Sequence, residues 1–257
     1  MSVAIIGGTG LEDLREFARA AREVVSTPFG DALVYRGTLA GREVFFLPRH
    51  GPGHALPPHR INYRANIAAL CKLGVREVLA TAAAGSLVAE VKPNTLLLPD
   101  QFLDFTRQRP QTFWDNRVVH IDLSEPYCPR LRGLLADAAR RVALPCREGG
   151  TYVCVEGPRF ESSAEVKMFA RLGGHVVGMT GLPELVLARE ANMCYAALCL
   201  VTNFAAGLGE GPVSHDEVLQ AMAELREKAV CLLAEAIGNL KPAADCPCRR
   251  AAPQLEL

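Results

Sequence analysis

The sequence predicts an α/β fold: a single domain with a twisted, mostly parallel mixed central sheet flanked by helices. Three observations carry this expectation. Short β-rich runs, each ending in small or polar residues, recur along the chain, and between several of them apolar residues fall at spacings of three and four. With 257 residues and 49% hydrophobic content, the chain can bury one large core. Strand and helix patterns in alternation call for parallel strands covered on both faces, and ligands on such sheets sit beyond the carboxyl ends of the strands.

Taken in order, Val3 to Ile6 is the first strand, followed at once by Gly7-Gly8-Thr9-Gly10. Val44 to Leu47 is the second and ends in Arg49-His50. A helical pattern over Arg60 to Leu73 leads into Val75 to Thr81, which small residues close by Ser86. Thr95 to Leu98 precedes a helix from Pro129 to Val142. Thr151 to Val155, a helix from Ser162 to Leu172, and the short run Val176-Val177 follow. A helix from Leu182 to Ala191, a strand from Ala196 to Val201 and a long helix from Asp216 to Ile237 complete the pattern. Met179-Thr180 and Thr202-Asn203 end two of the later strands. The domain is expected to span residues 1–241, with a Cys- and Pro-containing tail over 242–257.

Composition excludes several classes. The 28 basic and 28 acidic residues cancel, so no long-range field gathers nucleic acid or an anionic membrane. The amino terminus has no basic n-region and its apolar run is too short for a signal peptide. No segment approaches the roughly 20 apolar residues of a membrane span. Nine cysteines, several isolated in apolar runs (Cys71, Cys194, Cys199, Cys231), read as small core residues of a reducing compartment, so a cytoplasmic location is expected. Cys246-Pro247-Cys248 in the tail reads as a redox pair, as half a metal site, or as part of a mobile tail. The last is preferred, because zinc needs about four ligands and no second close cysteine pair stands in the sequence.

The polar residues at the strand ends carry the chemistry. Gly7-Gly8-Thr9-Gly10 can wrap an anion with backbone N–H groups and the Thr9 hydroxyl. It lacks the spacing of a dinucleotide fingerprint and the Gly-Lys-Ser/Thr of a P-loop, and taken alone it is equally an ordinary tight turn. Arg49 offers a bidentate guanidinium and His50 an imidazole to an oxyanion. His54 and His59 lie close enough to raise a metal reading. The flanking Arg49 and Arg60 and the absence of any carboxylate among them favour an oxyanion instead.

With these blocks in order, the chain resembles the methylthioadenosine phosphorylase and trimeric purine nucleoside phosphorylase family from roughly Ile5 to Ile237. The resemblance rests on Ile5-Ile6-Gly7-Gly8-Thr9-Gly10, Arg49-His50-Gly51, Asn62-Tyr63-Arg64-Ala65-Asn66, Ala84-Gly85-Ser86, Asp100-Gln101-Phe102, Glu156-Gly157-Pro158-Arg159-Phe160, Met179-Thr180 and Pro183-Glu184. It implies phosphate contacts at Thr9, Arg49, His50, Ala82, Ala83 and Thr180, with Phe160 and Met179 flanking base and ribose. It further implies a homotrimer or a dimer of trimers; no cofactor is expected for the reaction, inorganic phosphate being a co-substrate, and no metal is expected. Ala82 departs from the Thr or Asn usual in such enzymes and removes one phosphate donor.

A second departure concerns the base. Members that cleave 6-amino nucleosides carry an Asp-x-Asp pair where this chain reads Asn203-Phe204-Ala205. A carboxylate would repel the O6 of a 6-oxopurine, whereas the Asn203 carboxamide has both a donor and an acceptor. Glu161 beside Phe160 can accept from the N1–H of hypoxanthine or guanine; it is also a charge suited to a helix start. His215 resembles the histidine that binds a free 5′-hydroxyl in ordinary phosphorylases, where methylthio-specific relatives place a small apolar residue. The expected reaction is phosphorolysis of inosine or guanosine to free base and ribose 1-phosphate, with Asn203 and His50 the catalytic candidates. The rival readings are a methylthioinosine phosphorylase, a methylthioadenosine phosphorylase and a noncatalytic nucleoside sensor. The aromatic stretch Phe102 to Trp114 reads either as a lid over the sugar pocket or as core packing.

Overall fold

The computed structural model is described here for residues 2–9, 11, 20–209, 211, 215–243 and 245–257, leaving aside the side chains of His215 and Glu217. Eleven strands form one sheet: β1 (Val3–Gly7), β2 (Ala21–Thr27), β3 (Gly30–Leu39), β4 (Arg42–Pro48), β5 (Glu77–Ser86), β6 (Thr95–Leu98), β7 (Gln101–Phe105), β8 (Cys146–Glu148), β9 (Thr151–Val155), β10 (Val176–Gly178) and β11 (Cys194–Phe204). Among the described residues five α-helices cover it: α1 (Tyr63–Lys72), α2 (Pro129–Arg141), α3 (Ser163–Arg171), α4 (Glu184–Glu190) and α5 (His215–Gly238). The sheet is mixed, and its central pairings, β4 with β1, β1 with β5 and β5 with β11, are parallel.

Alternation along the strands sorts the core into two layers. Ala4 and Ile6 of β1 face a cluster with α1 and α4, while Val3 and Ile5 face one with α2 and α5. All four residues are buried, as a strand covered on both sides requires. The third cluster is smaller and packs Val166 and Phe169 of α3 against Val153 and Val177.

Every strand and helix expected from periodicity is present, with ends moved by a few residues. The sequence reading missed β2, β3, β7 and β8. β2 is almost wholly exposed, so no apolar alternation marks it, and it survives by pairing antiparallel with β3 across the turn at Pro28-Phe29. The carboxamide of Asn62 ties this hairpin to the helices: its Nδ2 donates to the Phe29 carbonyl (2.7 Å) and its Oδ1 caps α1 at the Ala65 N–H (3.1 Å).

The tail does not trail free. Arg249 pairs with the buried Glu77 (3.0 Å), Asn192 exchanges two hydrogen bonds with the Ala252 backbone, and Cys248 is buried in the α2/α5 cluster. These contacts replace the mobile tail expected from composition. The partners lie far away in sequence, so nothing local announced them.

Candidate active site

β5 changes neighbour along its length, and the cavity opens where it does. Residues Glu77 to Ala80 pair with β1, whereas Gly85 and Ser86 pair antiparallel with β10. Ala82, Ala83 and Ala84 lie between these two stretches and form the floor of a cavity of about 440 Å3. Gly8 and Thr9 wall it from the end of β1, Met179 and Thr180 from the end of β10, and Thr202 and Asn203 from the end of β11. This is a switch point in strand order, where open α/β sheets bind ligands.

Of the residues expected from the sequence, Thr9, Arg49, His50, Ala82, Ala83, Thr180, Phe160, Glu161, Met179, Asn203 and Ala205 all line this one cavity. Phe204 does not. It follows Asn203 on the strand and its ring packs toward Gly209, while its backbone carbonyl serves the site. His215 opens α5, but its side chain lies outside the described residues; Val218, one turn on, reaches the cavity. None of the aromatics from Phe102 to Trp114 lines it. Within this chain Phe113 is buried against Phe29, and Phe102 packs on the main core.

One side of the cavity is built around Arg49, which is 1% exposed. Its Nε and Nη2 donate to the two oxygens of Glu184, both at 2.7 Å, and its Nη1 donates to the Thr81 carbonyl at 2.7 Å. Burial works against the guanidinium charge, but the Glu184 carboxylate outweighs it and holds Arg49 above its usual pKa. The Tyr195 hydroxyl donates to Glu184 as well (2.8 Å). A guanidinium has five N–H groups, so donors on the terminal nitrogens remain for a ligand. Gly8 is required here: a Cβ would stand 2.8 Å from Arg49 Nη1. Sequence reading had assigned Glu184 no role, and only its burial in the fold reveals it as the group that orients Arg49.

His50 stacks on His54 with ring centroids 4.0 Å apart, and its Nδ1 lies 2.8 Å from the Leu56 carbonyl. A carbonyl only accepts, so Nδ1 carries the hydrogen. Donation by Nε2 to an oxyanion therefore requires the imidazolium.

The wall formed by Thr202 and Asn203 depends on a bulge. Pairing of β11 with β5 slips between Val201 and Asn203, so consecutive residues Thr202 and Asn203 both reach the cavity instead of alternating. Asn203, 5% exposed, is fixed in one orientation: Nδ2 donates to the Phe204 carbonyl and the Thr202 hydroxyl donates to Oδ1, both at 2.8 Å. The flipped amide would set oxygen against the Phe204 carbonyl oxygen, which is repulsive. One N–H and one lone pair remain. Glu161 stands immediately before the capping box of α3, where Ser162 and Glu165 exchange bonds (3.3 and 2.8 Å) and fix the chain's entry. Burial raises its pKa above the usual carboxylate value.

Arg109 locks the walls together, and no sequence motif signalled it. It donates to the carbonyls of Met179 (2.8 Å), Leu182 (2.6 Å) and Glu156 (2.7 Å), to Tyr63 Oη (3.1 Å) and to the Glu156 carboxylate (3.0 Å). The loops after β9 and β10 are thereby held against each other. Gly157 sits between them at φ +67°, where a Cβ would lie 2.6 Å from the Met179 sulfur.

The model of the phosphorylase superfamily matches residues 2–238. The chain is 49% identical to a probable S-methyl-5′-thioinosine phosphorylase of Methanothermobacter thermautotrophicus, over 97% of this chain and 88% of that protein. It is 46% identical to the 6-oxopurine nucleoside phosphorylase of Pyrococcus furiosus, over 97% of each chain. Among solved structures, methylthioadenosine phosphorylase from Schistosoma mansoni in complex with adenine superposes with a TM-score of 0.89 at 35% identity, covering 93% of both chains.

Proposed function

This chain belongs to the phosphorylase superfamily, and from that premise we propose that it is a purine nucleoside phosphorylase for 6-oxopurine nucleosides. It is a phosphate-dependent pentosyltransferase that converts inosine or guanosine to free base and ribose 1-phosphate. The observation that carries the specificity is the buried Asn203 carboxamide, held by Thr202 and Phe204 with one N–H to spare and with uncharged Ala205 beyond it.

The glycosidic bond weakens first, and negative charge moves onto N7 and O6 of the departing base. Asn203 Nδ2 donates to that charge as it forms, which is the differential binding that lowers a barrier. Glu161, when ionised, accepts from N1–H. Phosphate, a co-substrate, is held by Thr9, Thr180, the remaining Arg49 donors and the backbone at Ala82-Ala83, and attacks the anomeric carbon with inversion. Positioning supplies much of the rate. The reaction needs no cofactor, and a homotrimer or a pair of trimers is the assembly expected of such an enzyme.

A panel of inosine, guanosine, adenosine and 5′-methylthioinosine with phosphate tests the reading. Release of hypoxanthine and guanine with adenosine poorly used is expected; preference for adenosine would overturn it. Val218 favours the rival reading, since it presents an apolar wall at the α5 side of the cavity. On that reading 5′-methylthioinosine would exceed inosine in kcat/KM.

A further inference from the structure

Four cysteines that no motif joins meet at the opposite end of β11 from Asn203. Cys128 is the residue before α2, Cys194 begins β11, and Cys246 and Cys248 come from the tail. Their Sγ atoms all lie within 4.8 Å of one another, and Cys128 and Cys246 are 3.7 Å apart. Cys128, Cys194 and Cys248 are buried, and all four are free thiols.

We propose that these four cysteines form a tetrathiolate site for a structural divalent metal ion of the zinc class, which clamps the tail to the body of the fold. A zinc–sulfur bond of about 2.3 Å in a tetrahedron sets neighbouring sulfurs roughly 3.8 Å apart. The Cys128–Cys246 separation matches that edge, whereas a disulfide requires about 2.05 Å. Four soft donors with no open position select zinc or ferrous iron over calcium or magnesium.

The charge around the cluster fits a dianionic metal tetrathiolate. Arg130 lies against Cys194 and Arg189 near Cys248, while Arg249 adjoins Cys248 in sequence. The buried carboxylate of Glu77 pairs with Arg130 (2.6 Å) and Arg249 (3.0 Å). Each of the three arginines leaves a buried Nε–H without a partner among the described residues. Second-sphere N–H donors of this kind are what thiolate ligands accept.

The sequence reading lacked the second pair of ligands because Cys128 and Cys194 are distant from the tail and from each other. The fold brings them together by docking the tail over the start of β11.

The test is metal content. Full-length protein produced in zinc-supplemented medium and purified under reducing conditions without chelator should carry roughly one zinc or iron per chain by mass spectrometry of the elements, released by mercurial titration of the thiols. Cys246→Ser with Cys248→Ser should bring the metal to background and lower Tm while inosine kcat/KM stays within about twofold, since neither residue touches the cavity. If that variant fails to fold, cobalt incorporated into the unaltered protein should give thiolate-to-metal charge transfer and the intense visible bands of a tetrahedral ion. Metal-free protein with all four thiols reactive, protein lighter by a hydrogen pair for each disulfide within the cluster, or cobalt spectra without sulfur ligation would each overturn the proposal.

Discussion

At the scale of single residues, the proposed specificity rests on one amide and one carboxylate. Asn203→Asp places charge against O6 and removes the spare N–H, so kcat/KM for inosine should fall tenfold to a hundredfold, matching about 1 to 3 kcal/mol for an unmatched buried partner. Thr202→Val leaves Oδ1 unheld and should lower kcat for inosine by about tenfold, with Thr202→Ser restoring it. Glu161 adds a pH dependence. Its pKa is raised by burial, so as pH falls through that value the carboxylate takes a proton and can no longer accept from N1–H. The acid limb of kcat/KM for inosine should therefore lie above the ordinary carboxylate range and vanish in Glu161→Gln. The sign for stability is opposite to that of a salt-bridged carboxylate: the native state binds this proton more tightly than the unfolded chain, so Glu161 costs stability as pH rises through its raised pKa. Its advantage lies in recognition, not folding. At the phosphate end, Ala82→Thr adds a hydroxyl at the cavity floor and should lower the phosphate KM about fivefold, the worth of roughly 1 kcal/mol.

At the scale of elements, the site is a set of strand ends held by two buried arginines. Arg49 joins β4 to α4 through Glu184, and Arg109 joins the loops after β9 and β10. Removing either carboxylate or cation strands its partner in a dry interior. Glu184→Ala should cost about 3 to 5 kcal/mol of stability, measured by thermal or denaturant unfolding, and raise the phosphate KM because Arg49 loses its orientation. Legibility also varied by element. β1, β4, β5 and β11 announced themselves through continuous apolar runs, since both their faces are buried. β2 carries charged and polar residues toward solvent, and its strand character comes from the β3 edge it pairs with, a non-local cause that periodicity cannot register.

At the scale of the whole molecule, the two ends of β11 have different tasks. Its carboxyl end presents the bulged Thr202 and Asn203 to the cavity, and its amino end meets α2 and the tail at the four cysteines. Among the described residues no helix is long and apolar enough to cross a membrane. The docked tail ties the carboxyl terminus to the body through Arg249, Ala252 and Cys248. Deleting residues 242–257 would remove Cys248 from the α2/α5 cluster and Arg249 from Glu77, and should cost on the order of 2 to 4 kcal/mol in unfolding experiments without abolishing phosphorolysis.

The sequence alone determined the α/β architecture, because apolar runs buried on both faces leave an unambiguous pattern. It also determined the choice of residue at the base, because a carboxamide in place of a carboxylate is a local chemical fact. Tertiary structure decided the rest. It turned Asn203 and Thr202 to the same side through a bulge, paired Arg49 with Glu184 across a long loop of chain, removed Phe204 from the cavity wall, and gathered four scattered cysteines around one point. Each of these depends on distances between residues far apart in the chain, and such distances exist only once the core has closed.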